Sequence, residues 1–305
     1  MKMIKAINWF LPEGRVKNEL KQFYNYFHKP LQIYNKIAFL PIIDSGLSKE
    51  GIPFVRLNNN LIFYGYKYSN QKYLYKYADE SVKDNVKESA FGVAQDIIYR
   101  YFDAYEYGRG HNKQRYYSIK NGDTVLDIGA YIGFWTIKVS RIVGENGRVI
   151  AIEADKENLK ILRKNIKANS LKNVTIVPKG VWKEKGKKLF YCSHNQANTL
   201  IEKGGNIIQP NNQYIIKVDT VDNILKDLGI INVDFISIEI NGSEIESLEG
   251  MKETLNQNVN LVITAPYRRF GKPSYETVAS ILKSRGFNIL VEGKGKVYAS
   301  KAKEK

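Results

Sequence analysis

Two acids and two glycines near the middle of the chain have the types and spacing to hold a nucleoside. In Asp123-Thr-Val-Leu-Asp-Ile-Gly-Ala-Tyr-Ile-Gly-Phe-Trp-Thr136, the apolar run Val125 to Ile128 reads as a buried strand, and Gly129 and Gly133 open the turn before an amphipathic helix. Glycine at both positions removes a Cβ that would keep a bound molecule off the backbone. The first turn of the next helix offers free N–H groups to a carboxylate or phosphate. Further on, Arg148-Val-Ile-Ala-Ile-Glu153 is a second strand ending in a carboxylate, close to where nucleotide-binding folds place the acid that holds ribose hydroxyls. Strand, glycine turn, helix, strand and acid make one nucleoside-binding half-unit.

The spacing narrows the nucleoside. A pyrophosphate fingerprint reads G-x-G-x-x-G, whereas here Gly129-x-x-x-Gly133 stands behind Asp127 with no third glycine. An acid on the turn suits a ligand with a cationic amino end, as in S-adenosylmethionine. Its amino-acid part would lie over Asp127, Gly129, Ala130, Tyr131, Gly133 and Phe134, and its ribose would reach Glu153 and Ala154. Its adenine would lie at Lys179-Gly180-Val181-Trp182, after the third strand. The stretch resembles motif I and its following acid in class I S-adenosylmethionine-dependent methyltransferases. The glycine turn alone is also compatible with a plain βα turn that binds nothing.

The elements that must position these groups alternate regularly from Asn121 onward. A helix from Phe134 to Ile142 precedes the Glu153 strand, Asp155 caps a helix running to about Asn169, and Asn173 to Pro178 is the third strand. Lys188 to Cys192 and Tyr214 to Val218 read as an inserted strand pair around a polar loop, Ser193 to Pro210. Val233 to Glu239 is the fourth core strand, Leu261 to Thr264 the fifth, Tyr275 to Arg285 a helix, and Phe287–Val291 with Val297–Ser300 a closing hairpin. Ligands gather at the carboxyl ends of strands in open α/β sheets, so Glu239 and Asn241 should face the crevice of Gly129 and Glu153.

The first third is of another kind. Helical spacing covers residues 14–28 and a second piece runs to about Leu40; Pro53 to Gly65 reads as a hairpin turned at its asparagines, and Glu80 to Asp103 as one helix with Phe91, Ala94, Ile97 and Ile98 on one face. Residues 1–104 are expected to form a helical and hairpin cap, with the aromatic stretch Tyr99 to Gly108, Tyr105 included, as its inner wall, and residues 105–305 the cofactor-binding domain. Near the start, Trp9 and Phe10 among Lys2, Lys5, Arg15 and Lys17 could serve as a foot on a membrane surface.

Composition bounds the function. The 26% charged and 43% hydrophobic residues of this 305-residue chain are those of a soluble globular protein. The single cysteine, Cys192, excludes a disulfide framework and suits a reducing cytoplasm, and three scattered histidines disfavour a metal cluster. No apolar run approaches the ~20 residues of a membrane span. Against 31 Asp and Glu, 47 Lys and Arg give a net charge of +16, which favours an anionic partner such as RNA, anionic lipid or a lipid-linked glycan, or simply keeps the surface solvated.

Three blocks between Tyr105 and Ser300 resemble the FkbM-type methyltransferases, a class I branch that O-methylates sugars and other small hydroxyl compounds. They are Val125 to Thr136, with Tyr131 where the family usually has Asn; Val218-Asp-Thr-Val-Asp222; and Ser237-Ile-Glu-Ile-Asn-Gly-Ser-Glu244, against a family pattern Lys-Ile-Asp-Val-Glu-Gly-x-Glu. The resemblance implies a mostly parallel seven-stranded sheet, S-adenosylmethionine as cofactor and a small-molecule or glycan acceptor.

An alcohol acceptor must lose a proton to a base within hydrogen-bond reach. Glu239 is the first candidate, at a strand end that should abut the methyl group. His194 on the inserted loop and Asp222 are the others, Asp222 being also placed to cap the helix after it. Asn241, Tyr105 and Arg268 are candidate acceptor contacts. A nucleic-acid or protein methyltransferase is the first rival, drawing on the positive charge and on Ala265-Pro-Tyr-Arg-Arg-Phe270, where Arg268 and Arg269 could meet an anionic substrate. The second rival is a binding protein that keeps the fold without its chemistry.

Overall fold

The computed structural model describes residues 36–67, 75–76, 78–102, 113–192, 198–201, 212–292 and 295–301. The chain divides into two compact units, Met1–Ile98 and Tyr99–Lys305.

In the first unit, β1 (Ile42–Leu47), β2 (Pro53–Leu57) and β3 (Ile62–Tyr64) form an antiparallel sheet in that order. The β2–β3 turn falls at the asparagines, as read from the sequence: Asn60 takes the left-handed conformation (φ 63°) and Asn59 Oδ1 accepts the Leu61 N–H. Strand β1 carries no clear sequence signal, because its pattern is inverted; Ile43 and Leu47 face solvent while Ser45 is buried. The single helix expected over Glu80 to Asp103 is instead broken into α1 (Glu80–Asn85), a 3-10 turn (Glu88–Ala90), α2 (Phe91–Asp96) and a π turn (Ile97–Tyr101). Tertiary hydrogen bonds override the periodicity here. The Asn85 amide donates to the carbonyls of Ile37 and Leu40, the Lys87 N–H to Ser45 Oγ at 3.0 Å, and Val86 is drawn into extended backbone. Phe91, Ala94, Ile97 and Ile98 are all buried.

The second unit is built on the mostly parallel seven-stranded sheet that the resemblance implies. Its strands are β4 (Thr124–Ile128), β5 (Arg148–Ile152), β6 (Val174–Val177), β10 (Phe235–Ile238), β11 (Asn260–Thr264), β14 (Asn288–Glu292) and β15 (Lys296–Ser300), in the order β14-β15-β11-β10-β4-β5-β6. Only β15 runs against the others. The inner strands β4, β5, β10 and β11 read as continuous apolar runs because both faces are covered. Leu126, Ile128, Ile150, Ile152, Ile236 and Ile238 feed one core cluster, and the alternating Val125, Val149, Phe235 and Val262 feed the other. Each such side chain contributes roughly 1.5–3 kcal/mol when fully buried.

The helices are α3 (Phe134–Val143), α4 (Lys156–Ala168), α5 (Val221–Asp227), α6 (Glu244–Glu249) and α7 (Ser274–Ser284). Asp155 caps α4 as expected, accepting the N–H groups of Glu157 and Asn158. The inserted strands form a small sheet in which β9 (Asn212–Asp219) pairs antiparallel with β8 (Gly186–Cys192) and parallel with β7 (Gly180–Val181). A two-residue pair, β12 (Arg268–Arg269) with β13 (Lys272–Pro273), leads into α7. From β4 the chain builds outward through β5 and β6, then returns by way of the β7–β9 insertion to β10 on the other side of β4. The carboxyl ends of β4 and β10 therefore flank the topological switch point, where such sheets open a crevice. Among the described residues no helix is long and apolar enough to cross a membrane.

Candidate active site

The turn after β4 is shaped by close approach of the chain to itself. Gly129 and Gly133 have φ of 85° and 86°. A Cβ on Gly129 would lie 2.1 Å from the Glu239 carbonyl oxygen, and one on Gly133 would lie 2.4 Å from Leu162 Cδ1. The sequence expects these glycines to make room for a ligand. The structure corrects the reason: they let the end of β10 and helix α4 close on the turn, which sets Glu239 beside Gly129. Between them Tyr131 holds φ 54°, a conformation that costs a non-glycine residue about 1–2 kcal/mol. Its N–H donates to Glu153 Oε2 at 2.7 Å, and the Arg100 guanidinium lies 4.7 Å from its ring. Asparagine, the family's residue there, is among the side chains that tolerate this backbone best.

Glu153 follows β5 and is buried, its carboxylate held on both sides. Oε1 accepts the N–H groups of Ala154 (2.9 Å) and Asp155 (2.8 Å) and the Asn158 amide (3.3 Å), while Oε2 accepts Tyr131. Burial pushes its pKa up to about 7, and the donors of Asp155, Asn158 and Tyr131 oppose that rise. With two lone pairs on each oxygen, Oε2 retains acceptor capacity for a hydroxyl.

Asp127 is less available. It is 1% exposed, accepts Thr136 Oγ1 at 2.6 Å, and has the ammonium of buried Lys113 at 3.7 Å from Oδ1. Ser237, which stands where the family pattern has Lys, is the register neighbour of Asp127 across β10 and β4. The cation beside Asp127 thus comes from Lys113, which also lies 4.3 Å from the Trp135 ring.

A cavity of 290 Å³ opens over the switch point. Of the residues expected to bind cofactor or acceptor it brings together Gly129, Tyr131, Glu153, Ala154, Gly180, Val181, Glu239 and Asn241 on its lining. Asp127, Ala130 and Phe134 line a small adjoining recess, again with Glu239 and Tyr131. Gly133 packs on Leu162 beneath. Lys179, at the place expected for adenine, is on the wall as well; sequence reasoning missed Asn158, Phe190, Asn198 and Leu200, which also line it. Asn158 had a signal, one helical turn beyond a capping acid; the others sit on or beside the inserted strands, where no spacing rule points inward.

Several expected residues stand elsewhere. Trp182 is buried under Lys188, whose ammonium lies 4.4 Å from its ring, and takes no part in the cavity. Asp222 is neither a base at the cavity nor the cap of its own helix. Thr220 caps α5, and Asp222 accepts the N–H groups of Glu253 and Thr254 and the Thr254 hydroxyl. Arg269, offered to an anionic substrate, is buried, donates to the Gly242 carbonyl and pairs with Glu246. Arg268 is exposed on β12 and bonds the Gly271 carbonyl. His194 and Tyr105 lie outside the described residues.

Behind the β10 end, Glu244 is fully buried. Its Oε1 accepts the Gly242 N–H at 3.0 Å, and Oε2 has no hydrogen-bond partner among the described residues. Burial lifts its pKa from 4.5 to about 7. A raised carboxylate favours the fold when protonated, so its contribution is present below about pH 4.5 and is lost as pH rises through about 7. Glu244→Gln keeps the acceptor for Gly242 and removes the ionisation. Relative to wild type, the variant is expected to gain about 3 kcal/mol between about pH 4.5 and pH 8, read by urea unfolding at both pH values. A constant difference across that range would refute the buried-charge account.

A sheet with one reversed strand, a glycine turn at its switch point and an acid clamped on the next strand define a class I methyltransferase. The sequence pattern described as "Methyltransferase FkbM domain" matches residues 127–289, more than half of the chain. The chain belongs to this family and is an S-adenosylmethionine-dependent methyltransferase. It is similar to a protein of Saccharolobus solfataricus named "Probable cobalt-precorrin-6B C(15)-methyltransferase (decarboxylating)", 29% identical over 149 residues, or 44% of this chain and 71% of that one. Among solved structures, an FkbM methyltransferase from Methylobacillus flagellatus superposes with a TM-score of 0.46 at 16% identity, covering 70% of this chain and 54% of that one. Fibrillarin of Aeropyrum pernix, solved with natively bound S-adenosyl-L-methionine, gives a TM-score of 0.41 at 12% identity over 86% of this chain and 99% of that one. The chain thus spans about half the length of the solved FkbM protein.

Proposed function

We propose that this chain transfers a methyl group to a hydroxyl of a sugar, glycan or other small acceptor, with Glu239 as the base. One observation carries the reading: the donor-clamped carboxylate of Glu153 and the half-buried Glu239 border the same cavity, one on each side of the β4 strand that marks the switch point. At 290 Å³ that cavity lies at the lower end of the ~300–1,000 Å³ typical of ligand sites. The cofactor fits the donor set, since a ribose diol offers hydroxyls to the acceptor capacity left on Glu153 Oε2, and Gly180 and Val181 offer a flat apolar edge to a purine.

The bound cofactor supplies an already activated methyl group, so the chain's task is to place the acceptor and exclude water. Glu239 takes the acceptor's hydroxyl proton. Asn241 shapes the acceptor side: its amide N–H donates to the Asn198 carbonyl and its amide oxygen accepts from the Tyr267 hydroxyl at 2.7 Å, which ties the inserted segment to the β10 end. Burial of Arg269 takes one cation away from the nucleic-acid reading and leaves the small acceptor favoured. Calorimetry with S-adenosylmethionine is expected to show binding in the micromolar range, and tritiated methyl transfer into extract fractions is expected to label a small-molecule or glycan fraction. Absence of binding at high-micromolar cofactor, or label confined to RNA or protein, would overturn this proposal.

A further inference from the structure

The β8–β9 ribbon has two faces of opposite character. Phe190, Ile216 and Val218 point inward onto Trp182, and Phe190 lines the cavity. On the outward face the register sets Lys187 opposite Lys217 and Leu189 opposite Ile215. All four are exposed, Ile215 at 68%. Lys183 and Lys185, also exposed, extend the positive end through the turn before β8, where Glu184 is the intervening acid. Like charges directly opposed across a strand pair are destabilising, and neither Lys187 nor Lys217 has an ion pair among the described residues. Bare aliphatic side chains on a free sheet face add a second cost. A single partner removes both: a surface that is negative where the lysines lie and apolar just beneath.

We propose that this ribbon face docks on an anionic lipid bilayer, with Ile215 and Leu189 entering the headgroup region and Lys187, Lys217, Lys183 and Lys185 meeting lipid phosphates. Cations beside aliphatic anchors are the composition of interfacial membrane binding. An RNA face would use the lysines and leave Ile215 without a role. Because successive residues of a strand point to opposite faces, docking the outer face holds the cavity wall at Phe190 close to the bilayer, where a lipid-linked acceptor would be presented. The surface claim stands apart from the transfer reading, since vesicle binding is scored without cofactor or acceptor.

The test is co-sedimentation of the full chain with large vesicles of phosphatidylcholine alone and of phosphatidylcholine with phosphatidylglycerol. Binding is expected only to the anionic vesicles and is lost in high salt. Each lysine near such a surface is worth about 1 kcal/mol, so Lys187→Glu/Lys217→Glu should weaken partitioning by at least about 30-fold. The charge-matched Lys120→Glu/Lys172→Glu, on exposed lysines at the amino ends of β4 and β6, should change it far less. Ile215→Ser should weaken binding at unchanged net charge. The proposal is overturned if anionic vesicles are not bound, if the two double variants lose binding equally, or if Ile215→Ser binds like wild type. Retention of single-stranded RNA lost with the lysine pair, or a dimer abolished by Ile215→Ser, in either case without vesicle binding, would assign the face to those partners and overturn it too.

Discussion

Glu239→Gln is expected to slow single-turnover methylation of the true acceptor by about 10²–10⁴-fold, the range general-base catalysis supplies. The substitution is isosteric. The backbone bond that fixes this strand end, Glu239 N–H to the Ile128 carbonyl at 3.0 Å, does not involve the side chain. Cofactor affinity by calorimetry should therefore stay close to wild type. The variant should also lose the rising limb of the pH–rate profile that a carboxylate base produces. Glu239→Asp restores the family's own residue and keeps the base one methylene further back. It should retain more activity than the amide. Equal single-turnover rates for wild type and Glu239→Gln would remove the base from Glu239 while leaving the cofactor site intact.

What was legible in the sequence follows from which groups carry local signals. Val125 to Ile128 could be placed because a strand buried on both faces reads as an unbroken apolar run, and Asp155 because a cap sits at a fixed offset from its helix. Glu153 was legible as a carboxylate after the second strand. The helix break at Val86 was not, because its cause is a hydrogen bond from the next residue, Lys87, to Ser45 far back in the chain. Lys113 was equally invisible. It meets Asp127 from outside any motif, whereas the family pattern carries its lysine at the position of Ser237, the register neighbour of Asp127 on β10. Arg269 shows the converse error: an exposed-looking basic pair in the sequence becomes one exposed residue and one buried partner of Glu246, because a two-residue strand sends its side chains to opposite faces.

Glu153→Ala is expected to weaken S-adenosylmethionine binding by about 2–5 kcal/mol, the cost of deleting one partner from a buried charged hydrogen-bond set. It also leaves the N–H groups of Tyr131, Ala154 and Asp155 facing a hole, at about 1–3 kcal/mol for each one that water cannot reach, so the unliganded melting point should fall as well. Glu153→Gln should not rescue it. Donors approach both oxygens, and an amide must turn its own N–H groups toward one set of them. The charge state can be tested without mutation. The ionised form is the one that accepts on both oxygens, and burial has moved its titration up to about 7. Below that pH the added proton must sit among the donors and displaces one of them. Cofactor affinity is therefore expected to fall by up to about tenfold per pH unit below about 7 and to level off above it. The same raised pKa makes this carboxylate favour the fold below about pH 4.5 and lose that contribution as pH rises through about 7. Ligand hydroxyls that satisfy the ionised form offset the loss, so the thermal shift produced by saturating cofactor should be larger at about pH 8 than at about pH 6. A pH-independent affinity in wild type, or an unaltered pH dependence in Glu153→Gln, would show that the ribose is held by some other group.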